Sequence, residues 1–115
     1  MSSTLTDADY HRLTGALLAS IEATADGLLQ DDVIDIDTQR TGGLLELAFP
    51  NGSKIVVNTQ PPLHEVWLAA RAGGYHYRHL DGRWLDTRDG SEFFASLSRH
   101  ASAQAGRELT LGASA

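Results

Sequence analysis

Four two-residue turn signals divide the middle of this 115-residue chain and limit the kind of sheet that it can form. They are Gly42-Gly43, Asn51-Gly52, Gly73-Gly74 and Asp81-Gly82. Each pair contains glycine, and glycine, asparagine and aspartate tolerate the positive φ that tight hairpins need. The segments between these turns are too short for the crossover that joins parallel strands. The chain therefore predicts an antiparallel meander.

Alternating apolar residues mark the strands of this meander. Leu45, Leu47 and Phe49 share one phase, and a β-branched run begins at Ile55. Pro61-Pro62 then interrupts the ladder because proline has no backbone N–H to donate. We predict that the next strand starts at His64 and shares the inward phase of Val66 and Leu68. Glu65 and Trp67 then point to the opposite face.

Helical periodicity flanks the meander on both sides. A stripe of Tyr10, Leu13, Leu17, Ile21 and Leu28 predicts a helix from about Asp7 to about Ala25, with Gly27 as its stop. A capping-box pattern at Asp89-Gly90-Ser91-Glu92 predicts a second helix that runs to about Gln104. Gly106 ends this helix, and 107–111 form an extended tail.

This order of elements predicts an α+β fold with a single domain over 1–115. In this two-layer α/β sandwich, the N- and C-terminal helices pack on one face of an antiparallel sheet of about five or six strands. We expect residues 1–5 to be frayed and 112–115 to form a tail.

Carboxylates cluster where the first helix is expected to meet the sheet. Ile34 and Ile36 alternate with Asp35 and Asp37, which predicts a strand over 30–37 with its acids facing outward. We name the following set the acidic edge: Glu22, Asp26, Asp31, Asp32, Asp35 and Asp37. Hard oxygen ligands such as these suit divalent cations, but a charge-rich face is more often simply solvated.

Composition narrows the classes of function. Fifteen acidic residues against nine basic ones give a formal net charge of -6, which disfavours a nucleic-acid partner. There is no cysteine, so disulfides, thiolate ligands and cysteine nucleophiles are excluded. No apolar run is long enough for a membrane span, and no signal-peptide pattern is present, so we expect a cytoplasmic protein without a membrane partner.

Trp67 is the principal candidate for contact with another protein. The alternation places it on the outer face of the sheet beside Asn58 and Gln60, and tryptophan is enriched at interface hot spots. The competing interpretation is that a helix or loop covers this face and makes Trp67 part of a second core layer.

Neither the histidines nor the motifs indicate an enzyme. His76 and His79 lie on opposite faces of one strand and cannot chelate a metal together. Asp7 and His11 are spaced i,i+4 and could pair or share a metal. There is no phosphate-binding loop, zinc-protease motif or recognisable nucleophile triad, so we expect a protein that is not an enzyme.

The combined pattern resembles the frataxin family, in its bacterial CyaY-type form. The likeness covers about residues 7–111. It is carried by Asp9-Tyr10-His11-Arg12-Leu13, Asp35-Ile36-Asp37 before Gly42-Gly43, the run from Asn51 to Ala69, Gly73-Gly74-Tyr75-His76-Tyr77 and Asp89-Gly90-Ser91-Glu92-Phe93. No single motif is diagnostic, but their order and spacing together are specific.

This resemblance implies an iron-binding protein of iron–sulfur cluster assembly. It implies weak ferrous and ferric binding on the acidic edge, with Asp7, Asp9 and His11 as further contributors and other divalent cations as competitors. It also implies docking on the cysteine desulfurase and regulation of cluster formation on the scaffold protein. The matching sheet-face patch is Asn58, Gln60, Glu65 and Trp67, and the resemblance implies a monomer without iron.

The chain departs from the family pattern in ways that matter for these expectations. Ala23, Gly27 and Leu29 stand where acids are common, which predicts fewer or weaker iron sites. Glu65 stands where an amide is frequent, and the first loop is expected to be longer, with Gln39, Arg40 and Thr41 before the glycines. The alternative function is a metal-independent small acidic chaperone or partner-binding regulator.

Overall fold

The computed structural model describes residues 5–112, which form two helices and a six-stranded sheet. The chain runs through α1 (Asp7–Gln30), β1 (Asp37–Thr41), β2 (Leu44–Ala48), β3 (Lys54–Gln60), β4 (Glu65–Ala70), β5 (Gly73–Leu80), β6 (Arg83–Asp86) and α2 (Phe93–Ala105). The expected frayed residues 1–4 and tail residues 113–115 lie outside the described residues. Leu5 packs partly buried against the core.

All neighbouring strands pair antiparallel in chain order, so the sheet is a meander from β1 to β6. The buried stripe of α1 and that of α2 join the inward-facing strand residues in one core, including Ile21, Leu47, Val57 and Leu97. This confirms the predicted α+β sandwich. No helix in the described part of the chain has the length and apolar content needed to cross a bilayer.

The first helix is longer than the sequence predicted. It continues through Gly27 to Gln30, and Asp32 rather than a glycine adopts the left-handed conformation, at φ 58°. The N–H of Asp32 donates to Leu29 and that of Val33 to Leu28, at 3.0 and 2.9 Å. These two bonds form a Schellman motif, which aspartate can close because it tolerates a left-handed backbone.

The prediction of a strand over 30–37 is wrong. Asp31 and Asp32 lie in the turn after α1, and only Asp37 belongs to β1, which extends through the predicted loop to Thr41. Asp37 pairs with Ala48, where β2 ends, so residues before Asp37 have no partner strand. Ile36 is nevertheless buried, which explains why the alternation resembled a strand.

The second helix begins at Phe93, and its cap differs from the predicted one. Glu92 itself accepts hydrogen bonds from Phe94 and Ala95, while Asp89 accepts one from Ser91. Gly106 ends the helix in a left-handed conformation, as expected. The extended tail then buries Leu109 and Leu111 in the core.

The hydroxyl group of Tyr10 joins α1 to the sheet where β3 passes into β4. It donates to the carbonyl oxygen of Glu65 at 2.5 Å and accepts from the N–H of Gln60 at 2.9 Å. These two residues are register partners on either side of the 3-10 turn Pro61–Leu63. Burial raises the pKa of Tyr10, so the hydroxyl remains a donor at neutral pH.

We expect Tyr10→Phe to lower the free energy of unfolding by roughly 1–3 kcal/mol, because it leaves a buried N–H and C=O without their partner. Urea unfolding measures this loss. Tyr75→Phe is the matched control, since the Tyr75 hydroxyl has no hydrogen bond within the described residues, and it should cost less than about 0.5 kcal/mol. Equal losses in the two variants would contradict the structural role given to Tyr10.

Candidate partner-binding face and acidic edge

Trp67 lies on the outer face, by which we mean the side of the sheet opposite the helices. Its neighbours in register are Asn58 on β3 and His76 on β5, and Asn58 in turn lies opposite Leu44 on β2. Val66 and Leu68, on either side of Trp67 in the chain, are buried in the core. Within residues 5–112 both helices pack on the opposite side of the sheet from this row, and Trp67 itself is half-buried by its neighbours.

The indole ring of Trp67 is fixed by two contacts. It stacks on the imidazole ring of His76, with centroids 4.2 Å apart and planes 6° apart. Its Nε1–H donates to Oε1 of Glu65 at 2.8 Å. The ring is therefore held in one orientation before any partner binds, which reduces the entropy lost on association.

Glu65 organises this part of the outer face and is itself only 5% exposed. Its Oε2 accepts from Nε of Arg78 at 2.8 Å, and Nδ1 of His76 lies 3.8 Å from Oε1. Burial alone raises the pKa of the carboxyl group, but the hydrogen bonds from Trp67 and Arg78 and the charges of Arg78 and His76 lower it overall. The expectation that Glu65 faces outward is met, but both of its oxygens are already occupied.

The acidic edge is distributed over two sides of the molecule. Glu22 pairs with Arg40 on the helix side, with Oε1 and Nη1 3.0 Å apart. Asp37 belongs to the outer face. It is the register partner of Ala48, which in turn is the register partner of Lys54, and directly opposed residues of a sheet point to the same side. Asp26, Asp31, Asp32 and Asp35 are exposed at the end of α1 and in the loop that follows.

The structure brings no ready-made metal cage together. Within residues 5–112, no three histidine, cysteine, aspartate or glutamate side chains stand close enough to hold one ion. An ion bound at the exposed carboxylates would keep much of its water, because a single carboxylate fills only one or two of its coordination positions.

The proposed contributors at the start of α1 form separate contacts. Oδ1 of Asp7 lies 2.8 Å from Nε2 of His64 rather than pairing with His11, and Asp9 lies 3.3 Å from Arg12. The side-chain hydrogen bond from Arg12 lowers the pKa of Asp9. At 1.5 Å per helical residue, this end of α1 lies roughly 30 Å from Asp31. The two acidic groups cannot share an ion.

The prediction from sequence missed or misplaced two features of these sites. His64 is not the first residue of β4 but the left-handed cap of the 3-10 turn, at φ 52°, where its ring stacks on Tyr10. His76 and Arg78 were not assigned to the Trp67 patch. The signal for them was present, because the Gly73-Gly74 turn fixes the register that places both on the outer face beside β4.

The fold and its surfaces define a small α+β domain with an acidic helix end and an aromatic outer sheet face. Residues 3–107 match the family model described as a frataxin-like domain. The chain belongs to the frataxin family.

Relatives named iron-sulfur cluster assembly protein CyaY match nearly the whole chain. The Polaromonas sp. (strain JS666 / ATCC BAA-500) protein is 49% identical over 109 residues, covering 95% of this chain and 94% of the relative. The Burkholderia mallei (strain SAVP1) protein is 50% identical over 109 residues, covering 95% of this chain and all of the relative.

Solved structures agree with this assignment. Frataxin from Psychromonas ingrahamii is 34% identical, with a TM-score of 0.80 over 94% of this chain and 97% of that one. Trimeric frataxin from the yeast Saccharomyces cerevisiae, complexed with ferrous iron, has a TM-score of 0.66 at 23% identity over 93% of this chain and 92% of that one. At 23% identity, the likeness to the yeast protein shows a shared fold only.

We expect Glu65→Gln to cost about 1–2 kcal/mol of stability at pH 7, because the amide keeps an acceptor for Trp67 but loses the charge opposite Arg78. The pKa of Glu65 is lowered in the folded state, so its contribution is fully present above the ordinary value of 4.5 and is lost as pH falls through the lowered value. Urea unfolding at pH 7 and at about pH 3 should therefore show the variant approaching the parent at low pH.

Glu46→Gln is the matched control for this change. Its carboxylate lies on the same face, is partly exposed and pairs with Lys54 at 3.5 Å, so its loss should be below about 1 kcal/mol at either pH. A cost for Glu65→Gln that is the same at both pH values would contradict the ionic role of Glu65.

Proposed function

We propose that this protein takes part in iron–sulfur cluster assembly, where it binds iron as cargo on the acidic edge and regulates the reaction by docking on the cysteine desulfurase. The observation that carries the proposal is the identity of about half of the aligned residues, over nearly full length, to proteins named for that process. The trimeric yeast relative complexed with ferrous iron supports iron as the metal.

The physical character of the acidic edge suits loose binding of iron. Exposed carboxylates are hard oxygen ligands, and both oxidation states of iron accept them. Because no three potential ligands within residues 5–112 converge, binding here is weak and labile, and calcium, manganese or cobalt competes for it. Such a surface accepts and releases an ion readily, as a transient carrier or sensor requires.

The two surfaces make different kinds of contact in this proposal. The exposed acids at the end of α1 face a basic surface of the desulfurase, with which they make long-range attraction. The outer face, with Trp67 held against His76 and flanked by Asn58 and Gln60, contacts the desulfurase–scaffold complex. Trp67 is the anchor because a large, oriented aromatic ring contributes contact area with little loss of entropy.

We expect Asp35→Asn combined with Asp37→Asn to weaken ferrous binding several-fold and to raise stability by a few tenths of a kcal/mol, because it removes neighbouring like charges. An anaerobic ferrous titration followed through backbone amide NMR measures the first effect, and urea unfolding measures the second. In the parent protein, broadening should be confined to residues 22–37.

Asp81→Asn is the control for this pair. Asp81 lies in the β5–β6 turn at φ 51°, a conformation that asparagine also tolerates, and it lies outside the acidic edge. Its ferrous broadening should match that of the parent. Lower stability together with unchanged broadening in the double variant would contradict both halves of the prediction. Broadening centred on His64, His76 or His79 in the parent protein would show that iron binds outside the acidic edge.

We expect Trp67→Ala to fold normally, with a drop in Tm of less than about 8 °C, and to bind the desulfurase about tenfold or more weakly. Biolayer interferometry with the purified desulfurase gives the affinity, and a cluster-formation assay with desulfurase, scaffold, cysteine and iron gives the effect on rate. Arg99→Ala truncates an exposed side chain on α2, on the opposite side of the sheet from the patch, and should leave affinity unchanged. A large fall in Tm would make Trp67 a core residue instead.

The same geometry also favours a second candidate, a metal-independent partner-binding regulator or small acidic chaperone. The observation behind it is the lack of converging ligands within the described chain. The acidic-edge variants separate the two functions. Desulfurase binding that is retained through the outer face, with loss of any iron response, supports the iron-dependent role, whereas partner regulation that is identical with and without iron supports the alternative.

A further inference from the structure

A low trough crosses the outer face beside the row that contains Trp67. Val56, Ala69 and Gly74 lie opposite one another on β3, β4 and β5, two residues away along each strand from Asn58, Trp67 and His76. Their side chains are short or absent, and nothing occupies the space within 4 Å of the position where Gly74 would carry a Cβ. The trough opens into a depression of about 510 Å³ at the end of the sheet, beside Ser53, Lys54 and Arg71.

Cationic side chains surround this trough. Lys54 stands at its β3 side, Arg71 follows β4, and Nη2 of Arg88 donates to the carbonyl oxygen of Gly74 at 3.2 Å at the open edge of β5. Lys54 has one partner, Glu46 at 3.5 Å, while neither Arg71 nor Arg88 has an ion pair within residues 5–112. Lys54 and Arg71 therefore line the depression, and Arg88 lies at the β5 edge of the trough.

The carboxylate of Glu65, on the adjoining part of β4, does not neutralise these cations. Both oxygens of Glu65 are engaged by Trp67 and Arg78, and the group is almost fully buried. Glu46, the register partner of Val56, partly offsets Lys54, whereas Arg71 and Arg88 have no ion pair within residues 5–112 although the net charge of the chain is -6. This surface attracts a segment of opposite sign, and steering of this kind raises association rates as well as specificity.

We propose that the trough docks an extended acidic peptide segment of the partner that contacts the outer face. This inference rests on the proposed function, which makes that face a partner surface. Strands lie about 4.8 Å apart, so the trough from β3 to β5 spans roughly 10 Å, the length of about three extended residues. A backbone lies on the low floor of Val56, Ala69 and Gly74, and its carboxylates reach Lys54, Arg71 and Arg88.

The test is a titration of isotope-labelled protein with a short peptide of alternating aspartate and glutamate, followed by amide NMR. The expected shifts are confined to residues 51–56, 69–74 and 88. They diminish as salt rises from about 0.05 to about 0.5 M, because salt screens exposed charges. A peptide of alternating asparagine and glutamine should give none. Shifts elsewhere, an equal response to the amide peptide, or an equal response to inorganic phosphate would overturn the proposal.

Charge-reversal variants provide the second readout. Arg71→Glu and Lys54→Glu should each weaken binding of the acidic peptide about fivefold or more. Arg99→Glu makes the same change of charge on the exposed side of α2 and should not affect binding. Unchanged affinity in the two trough variants would overturn the assignment, as would an equal loss in all three.

Trp67→Ala separates this inference from the proposed function. The variant should bind the desulfurase about tenfold or more weakly but keep its response to the acidic peptide, because the trough does not include the indole. Intact desulfurase binding in Trp67→Ala would count against the proposed role of the face, while the peptide titration would still decide the trough. Loss of the peptide response in this variant would overturn the trough alone.

Discussion

The hydrogen bonds of one buried hydroxyl group fasten α1 to the sheet at the turn between β3 and β4. Tyr10 binds the backbone of Gln60 and Glu65 on both sides of the 3-10 turn, and so fixes where β4 begins relative to α1. Side chains alternate along a strand, so a slip of one residue would turn Trp67 toward the core and Val66 toward solvent. The outer face thus depends on a contact made on the opposite side of the sheet.

Charge is unevenly distributed over this small domain. Exposed acids lie at the end of α1 and in the loop that follows, while Lys54, Arg71 and Arg88 gather on and beside the outer face. On the functions proposed above, the acidic part meets cations and a basic partner surface, and the outer face meets a partner through aromatic and cationic groups. Separate charge patterns allow one chain to make both contacts without competition between them.

The meander and the outward direction of Trp67 could be predicted because glycine-containing turns and a period of two are local signals. The end of α1 could not, because Asp32 rather than Gly27 adopts the left-handed conformation and tertiary contacts decided between them. Strand β1 was misplaced because alternation reports burial, whereas a strand also needs a partner. The burial of Glu65 was not foreseeable from its own strand, since Arg78 reaches it from the next one.

The two tryptophans lie on opposite sides of the sheet. Trp84 is buried beside Tyr10, with ring centroids 6.1 Å apart, whereas Trp67 rests against His76 on the outer face. Indole emission depends on the polarity and the neighbours of the ring. The molecule therefore contains two built-in optical reporters: the emission of Trp84 follows the integrity of the core, and that of Trp67 follows whatever covers the sheet.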